Sequence, residues 1–308
     1  MESEKKGQRS LKLIMEGAAV GFVSIVDGDD KPPLMTTTFW DYPRQSYGKR
    51  PKGNNKYPGV TPAFIVWNLV QRYTEPGDLV VDPMAGSGTT VDVCEEEGRR
   101  VIGFDIVPAH PKVFPSDARA IPLRDNVADL IFVDSPYSDN EYYNDHPDNI
   151  GRISCEEERF FDELEKVATE CYRILKPGKI LAWLIGDQWV QKRFTPVGFL
   201  LFQRLCKFFE PVEIVCVARR NQTSNTRVWH YRAAKFNFYL RGFKYLFIMR
   251  KPDPNHPKPQ KRQVKWSFYQ RKVSAKEEMS SEGAEIQTIQ HCLMLDEDVS
   301  EQRQNDCS

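Results

Sequence analysis

The sequence has little that would place the chain outside the cell or in a membrane. Its seven cysteines are scattered, with no Cys-x-x-Cys pair and no Cys/His cluster, which argues against a disulfide framework and a structural metal site. No apolar run approaches the roughly 20 residues that cross a bilayer, and residues 1–6 lack the apolar stretch of a signal peptide. We therefore expect a soluble cytoplasmic protein that binds no metal.

A net charge is also lacking, since 43 basic residues balance 43 acidic ones, but the charges are strongly segregated. Residues 134–170 contain 12 acidic and 3 basic residues, residues 192–272 contain 19 basic and 3 acidic, and residues 273–308 contain 9 acidic and 2 basic. The basic block is interleaved with Phe, Tyr and Trp, a composition that suits a polyanion with stackable bases. A solvated charged face is the alternative interpretation of such a run.

The chain of 308 residues is long enough for one large domain or two small ones, and 40% hydrophobic residues supply a core. We predict an N-terminal extension over residues 1–34 and a folded domain over residues 35–251. Residues 252–308 turn rich in Pro, Lys and Gln and then in Ser and Glu, which predicts a disordered charged tail.

Strand and helix patterns alternate through the central region. Strands are predicted over residues 36–40, 79–81, 101–104, 127–133, 179–185, 212–218 and 245–249, and helices over 62–73, 89–97, 156–175 and 196–209. Thr61 as N-cap and Pro62 as first helical residue mark the start of the first helix. The alternation indicates an α/β fold with a mainly parallel, seven-stranded sheet and helices on both faces.

The most informative segment is Asp82-Pro-Met-Ala-Gly-Ser-Gly-Thr-Thr90, which follows the apolar residues 79–81. A strand that ends in a Gly-rich turn and continues into a helix is a ligand-binding corner of α/β sheets, because small residues let the backbone approach a ligand. The segment lacks the Gly-Lys-Ser/Thr of a phosphate-binding loop and the third glycine of a dinucleotide fingerprint, which argues against a nucleotide-dependent dehydrogenase. A plain strand–turn–helix junction is the alternative.

Carboxylates follow the next strands of the pattern. Asp105 ends the strand at 101–104, Asp117 lies in the next loop, and Asp134-Ser-Pro-Tyr137 follows the strand at 127–133. A carboxylate at the tip of such a strand can accept both ribose hydroxyls of a bound nucleoside. Capping of a helix or a turn is the alternative for each of these aspartates.

Together these motifs resemble the N4-cytosine/N6-adenine DNA methyltransferases over about residues 35–251. Residues 82–90 resemble the family's Asp-Pro-Phe-x-Gly-Ser-Gly-Thr-Thr motif, with Met84 in place of Phe. Residues 134–137 resemble its Asp-Pro-Pro-Tyr tetrapeptide, with Ser135 in place of the first Pro. The cofactor motif precedes the tetrapeptide, the reverse of the order in many bacterial enzymes of this class.

The resemblance implies a Rossmann-like methyltransferase fold with S-adenosyl-L-methionine as the cofactor. Segments 38–43 and 57–62 resemble elements that line the methionine end of the cofactor in the family, although core packing is an equal interpretation of Phe39. The cofactor residues it implies are Phe39, Thr61, Asp82, Pro83, Met84, Ala85, Gly86, Ser87, Gly88, Thr89, Asp105, Ile106 and Asp117, and the catalytic residues are Asp134, Ser135, Pro136 and Tyr137.

The residue types of the tetrapeptide fit the methylation of an amine. An exocyclic amine on a base is a weak nucleophile, because its lone pair is delocalised into the ring. In the mechanism that the resemblance implies, the Asp134 side chain and the Ser135 main-chain carbonyl accept the amine's hydrogens. Tyr137 stacks on a base that has left the duplex.

The implied substrate is DNA, with adenine N6 favoured over cytosine N4 because Asp, rather than Ser, opens the tetrapeptide. Recognition is expected from loops 41–60, 138–153 and 219–235, and basic residues between Arg219 and Arg241 are candidate nucleic-acid contacts. Two alternatives stay open. One is an amino-methyltransferase of tRNA or rRNA, and the other is a nucleic-acid binder that kept the fold without turnover.

Overall fold

The computed structural model describes residues 12–15, 23–26, 32, 34–42, 44–139, 141–190, 193–220 and 226–255. Most of the predicted N-terminal extension, the predicted tail from residue 256 onward and part of the 219–235 loop lie outside the described residues. The antiparallel pair β1 (Lys12–Met15) and β2 (Val23–Val26) belongs to the extension. The domain boundaries at residues 35 and 251 stay predictions.

The remaining elements alternate as the sequence pattern indicates. The strands are β3 (Phe39–Trp40), β4 (Leu79–Asp82), β5 (Arg100–Asp105), β6 (Val113–Pro115), β7 (Ala128–Asp134), β8 (Leu175–Ile185), β9 (Gln188–Val190), β10 (Arg193–Thr195), β11 (Glu210–Ala218) and β12 (Phe243–Arg250). The helices are α1 (Ala63–Tyr73), α2 (Thr89–Glu96), α3 (Glu158–Ile174), α4 (Val197–Leu205) and α5 (Arg227–Phe236), with a 3₁₀ turn at Ile150–Arg152.

One mixed sheet carries the fold, in the order β3-β11-β12-β8-β7-β4-β5-β6. Its neighbouring strands are parallel except for β12, which is antiparallel to both β8 and β11. The chain proceeds from β4 outward to β5 and β6, then returns to β7 on the other side of β4. Ligands bind α/β sheets at such a reversal of strand order, and here it places the ends of β4 and β7 side by side.

Hydrophobic residues cover both faces of the sheet. On one face, α3 and α4 bury residues such as Phe160, Leu164 and Leu201 against Trp183 and Phe247 of the sheet. On the other, α1 buries Ile65 and Leu69. The predicted α/β fold with a mainly parallel sheet between helical layers is therefore confirmed.

Several details of the fold differ from the prediction. Residues 219–235, predicted as a loop, contain most of α5, and the β9–β10 pair was not predicted. The sheet has eight strands rather than seven, because β6 was not predicted. It is three residues long, buries only Val113 and ends at Pro115, which an edge strand tolerates. The N-cap assignment of Thr61 is wrong, since α1 begins at Ala63 after Pro62 and has no side-chain cap.

Candidate active site

Both sequence motifs face one cavity of about 350 Å³ at the carboxyl ends of β4 and β7. Most of the predicted site residues line it: Thr61, Pro83, Met84, Ala85, Gly86, Ser87, Asp105, Ile106, Asp117, Asp134, Ser135, Pro136 and Tyr137. Of the residues predicted to contact the cofactor, Asp82, Gly88, Thr89 and Phe39 are not among the lining residues.

These four residues have other places in the fold. Asp82 lies beneath the turn, where it accepts hydrogen bonds from the Thr90 hydroxyl at 2.5 Å and the Met84 amide at 3.0 Å. The Thr89 side chain pairs with Ser87 inside the turn, and Gly88 is the N-cap of α2. Phe39 sits on the edge strand β3 with 42% of its surface exposed, because in this two-residue strand Trp40 is the residue that turns inward.

The Gly-rich turn is held in place by the protein around it. The Ala85 amide donates to the Phe104 carbonyl at 2.8 Å, and the Gly88 amide donates to Ala85 at 2.7 Å. Gly86 and Gly88 both have positive φ, at 43° and 83°. A Cβ on Gly86 would lie 2.8 Å from the Tyr57 ring, and one on Gly88 would lie 2.4 Å from the His110 ring. The glycines therefore allow neighbouring side chains, not only a ligand, to close on the turn.

Asp105 ties the turn to the end of β5. One oxygen accepts from the Gly86 amide at 2.9 Å, and the other accepts from the Val107 amide at 2.9 Å. Burial raises the pKa of Asp105. Since each carboxylate oxygen has two lone pairs, the carboxylate can still accept hydrogens from a ligand in the cavity.

Asp117 lines the cavity, but its carboxylate is engaged by Arg119. The Arg119 Nε lies 2.9 Å from Oδ1, and Nη2 lies 2.6 Å from Oδ2. Burial of the Asp117 carboxyl works in the opposite direction, yet the hydrogen bonds and charge of Arg119 lower its pKa. Arg119 also bonds Glu163 of α3, so this carboxylate is fixed in position.

Asp134 is held from two sides by residues distant in the sequence. Its Oδ2 accepts from the Thr61 hydroxyl at 2.7 Å, and its Oδ1 accepts from the Lys244 ammonium at 3.2 Å. Thr61, predicted as a cofactor residue, thus contacts the predicted catalytic tetrapeptide directly. Lys244 was not predicted, although it is a charged residue in β12, a strand that is otherwise largely apolar.

Ser135, the departure from the Asp-Pro-Pro-Tyr pattern, is anchored in the core. Its hydroxyl accepts a hydrogen bond from Trp183 Nε1 at 2.9 Å, and both residues are buried. The exchange removes the conformational restriction of proline but adds a bond to β8. The main-chain position of the tetrapeptide is therefore still constrained.

Two cations, Lys244 and Arg219, lie close to the ring of Tyr137. The Lys244 Nζ is 5.5 Å from the ring centroid, and the Arg219 guanidinium carbon is 5.9 Å from it. Arg219 Nη2 also donates to the Tyr137 hydroxyl at 3.3 Å. The ring is thereby held in an orientation fixed at both its face and its hydroxyl.

Two further tyrosines join the two halves of the cavity. Tyr57 belongs to the segment 57–62 that the resemblance placed at the cofactor, whereas Tyr143 was not predicted to line the site. Tyr57 packs against Gly86, and its ring centroid is 5.9 Å from that of Tyr143, in the 138–153 loop. Burial raises the pKa of both hydroxyls. His146, in the same loop, does not line the cavity.

The lining suits a cationic sulfonium cofactor. The carboxylates of Asp105, Asp117 and Asp134 line the cavity, while Pro83, Met84 and Ile106 supply apolar surface. Negative side chains in a partly buried site favour a cation. Among the described residues no group of three or more His, Cys, Asp or Glu side chains is arranged to hold a metal ion.

Comparison with known proteins agrees with this geometry. A family model described as DNA methylase matches residues 4–113 and 128–305. The DNA adenine methyltransferase YhdJ of Escherichia coli K12 is 37% identical over 100 residues, 30% of this chain and 33% of that one. The type II methyltransferase M2.DpnII of Streptococcus pneumoniae is 36% identical over 62 residues, 20% of this chain and 23% of that one. The matches span about a quarter to a third of these relatives.

Similarity to solved structures is remote. TrmN from Thermus thermophilus is 17% identical, with a TM-score of 0.42 over 63% of this chain and 50% of that one. Because the family model covers most of the sequence, the chain belongs to the N6/N4 DNA methylase family. The predicted family and S-adenosyl-L-methionine as its cofactor are confirmed. Within the described residues, each helix is too short or too polar to span a bilayer.

Proposed function

We propose that the chain transfers a methyl group to the exocyclic amino group of a base in DNA, with adenine N6 favoured over cytosine N4. The observation that carries the proposal is the shared cavity, which is lined both by the Gly-rich turn and by the tetrapeptide from Asp134 to Tyr137. Family membership supports DNA as the substrate class. The relative YhdJ is named a DNA adenine methyltransferase, which supports the preference for adenine, as does Asp134 at the first position of the tetrapeptide.

S-adenosyl-L-methionine, when bound, supplies a methyl group activated by its positive sulfur. Residues 83–87 of the turn and Asp105 would hold it, because they bring backbone and a carboxylate to one wall of the cavity. In this proposal Asp117 positions the loop through Arg119 and keeps negative charge near the cofactor. Asp82 supports the turn from below, through its bonds to Met84 and Thr90.

The chain's own residues prepare the amine. Asp134 accepts one of its hydrogens and the Ser135 carbonyl accepts the other, which keeps electron density on nitrogen. Thr61 and Lys244 each donate to one oxygen of Asp134, so they fix the carboxylate in place, and the remaining lone pairs can accept from the amine. Tyr137 stacks on the base, which must be extruded from a duplex to reach it.

Nucleoside mass spectrometry after incubation with isotopically labelled cofactor and genomic DNA tests the proposal. We expect labelled N6-methyladenine from the wild type and none from Asp134→Asn, with cofactor affinity unchanged in the variant. Asp162→Asn is the control, since this residue lies on the outer face of α3 in an ion pair with Arg204. Wild-type activity in Asp134→Asn would contradict the catalytic assignment. Product on total RNA but not on DNA would show that the substrate is RNA.

A further inference from the structure

We propose that α5 and the β9–β10 hairpin form a surface that binds an unpaired strand of DNA next to the catalytic cavity. The inference rests on the proposed function, because it takes DNA as the substrate. α5 is inserted between β11 and β12. Ala218 and Arg219 precede it and Lys244 follows it, and all three line the cavity. A strand bound along α5 would therefore reach the mouth of the cavity.

The aromatic residues of α5 are not used for core packing. None of the ten residues of the helix is buried. Tyr231 and Phe236 each have 64% of their surface exposed, and Tyr239, just after the helix, has 84%. Large aromatic side chains are normally directed to the core or to a partner. This group is thus free to stack on a ligand.

The charge of the surface matches a polyanion. No acidic residue occurs between Glu213 and Asp253, whereas α5 alone contributes Arg227, Arg232 and Lys235. These cations are interleaved with the rings. Arg232 lies 5.0 Å from the centroid of Trp229, and Lys235 lies 5.5 Å from that of Phe236. Alternating cations and aromatic faces are the means by which proteins hold single strands, with phosphates on the cations and bases on the rings.

The hairpin extends the same surface. Trp189 of β9 stacks on Phe238 with ring centroids 4.8 Å apart and an interplanar angle of 15°. Phe194 of β10 is 51% exposed, and Arg241 lies 5.1 Å from its ring. A shallow, open depression lies against the second half of α5, lined by residues from His230 to Leu240. These features add further exposed rings to the surface.

An unpaired strand fits better than the other occupants. Bases inside a duplex expose only their edges, so they cannot cover the faces of Tyr231, Phe236 and Tyr239. A second copy of the same surface would bring like charges together. The acidic segment 273–308 is the remaining polyanion, and it lacks stackable rings, since it contains no Phe, Tyr or Trp.

The experiment measures binding of the full chain to a fluorescently labelled DNA oligonucleotide of mixed sequence over a range of salt concentrations. The test variant is Arg227→Gln/Arg232→Gln/Lys235→Gln. The control variant is Lys112→Gln/Lys166→Gln/Lys207→Gln, which removes three exposed lysines that lie outside α5 and the β9–β10 hairpin. Circular dichroism verifies that both variants are folded, as expected because α5 buries no side chain.

Three lost phosphate contacts should reduce the slope of log K against log salt by about 2 for a single strand, and the control should leave it unchanged. Tyr231→Ala/Phe236→Ala should weaken binding at least about fivefold, the lower end for loss of one stacked base. We expect the single strand to bind more tightly than the matched duplex.

An unchanged slope in the α5 variant would overturn the inference, and it is the result expected if residues 273–308 occupy the helix instead. Tighter binding of the duplex, or binding of an RNA strand but not of DNA, would overturn it as well. The measurement needs no methyl transfer. Binding that depends on α5 in a chain without methyltransferase activity would therefore contradict the proposed function while leaving this surface assigned.

Discussion

Replacing Gly88 by alanine should destabilise the fold far more than the same change at Gly98. Both glycines have positive φ, 83° and 71°, so both replacements carry the cost of an L residue in the left-handed region, about 1–2 kcal/mol. Only Gly88 is crowded. An added Cβ there would lie 2.4 Å from the His110 ring, whereas nothing lies within 4 Å of one on Gly98.

The additional cost at Gly88 follows from what holds His110 in place. Its Nε2 lies 3.5 Å from Asp92 in α2, and its Nδ1 accepts from the Lys112 amide at 3.3 Å. Moving the ring breaks both contacts, and overpacking of this kind costs about 1–3 kcal/mol. We expect Gly98→Ala to lower the free energy of unfolding by about 1–2 kcal/mol and Gly88→Ala by about 2–5 kcal/mol.

Urea unfolding of the two variants and the wild type, followed by circular dichroism, gives this difference directly. The comparison cancels the backbone contribution, since φ is similar at the two positions. Equal losses of stability would refute the reasoning, because they would show that His110 does not restrict the turn. Gly88 does not line the cavity. The free energy of cofactor binding, measured per folded molecule, should therefore change less than the free energy of unfolding.

Three further predictions concern single side chains. Thr61→Val removes the hydroxyl that donates to Asp134 at 2.7 Å, and losing a hydrogen bond to a charged group, about 1.5–3 kcal/mol, should lower kcat about 10- to 100-fold. The control Thr169→Val, on the exposed side of α3, should leave kcat unchanged, and equal rates for the two variants would contradict a role for Thr61. Burial raises the pKa of Asp82 to about 7, so the stability that this group contributes is full below about pH 4 and is lost as the pH rises through 7. In denaturant titrations the wild type should lose up to about 3 kcal/mol of unfolding free energy between pH 4.5 and 8 relative to Asp82→Asn. Parallel pH curves for the two proteins would contradict the shift. The buried Lys251 donates to Asn126 and to the Tyr172 and Leu175 carbonyls at the end of α3. In urea unfolding, Lys251→Met should therefore cost about 2–5 kcal/mol, whereas the control Lys207→Met, which removes an exposed ion pair with Glu165, should cost under about 1 kcal/mol. Similar values for the two would show that the buried ammonium is not needed.

The sheet, and the edge of it at which the cavity lies, could be predicted because the sequence patterns that mark them are local. A strand that ends at Asp82 and a Gly-rich turn before a helix specify one corner, and Asp105 and Asp134 mark the ends of two more strands. In a parallel sheet these ends share an edge. Elements without a periodic pattern escaped prediction. α5 buries nothing, so no apolar spacing reveals it, and β6 is three residues long.

The contacts between side chains were beyond the same reasoning. Thr61 and Asp134 are 73 positions apart, and Lys244 and Asp134 are 110 apart. Each pairing depends on strand order and register rather than on a motif. Arg119 lies two residues from Asp117, yet it also pairs with Glu163 of α3, a contact 44 positions away that no local pattern indicates. A motif therefore predicts which residues lie at the site, while the surrounding fold decides which partners each of them has.

Ser135 shows how a fold can tolerate a departure from a motif. In the proposed mechanism this position acts through its main-chain carbonyl, so the side chain matters only through the path of the backbone. Proline restricts that path through its ring, whereas Ser135 is restricted by the hydrogen bond from Trp183, a fully buried residue of β8. Since β8 is paired directly with β7 from Leu130 to Asp134, the anchor and the tetrapeptide move as one rigid part of the sheet. The carbonyl can thus be positioned without the proline, at the expense of a dependence on Trp183 that the Asp-Pro-Pro-Tyr form does not have.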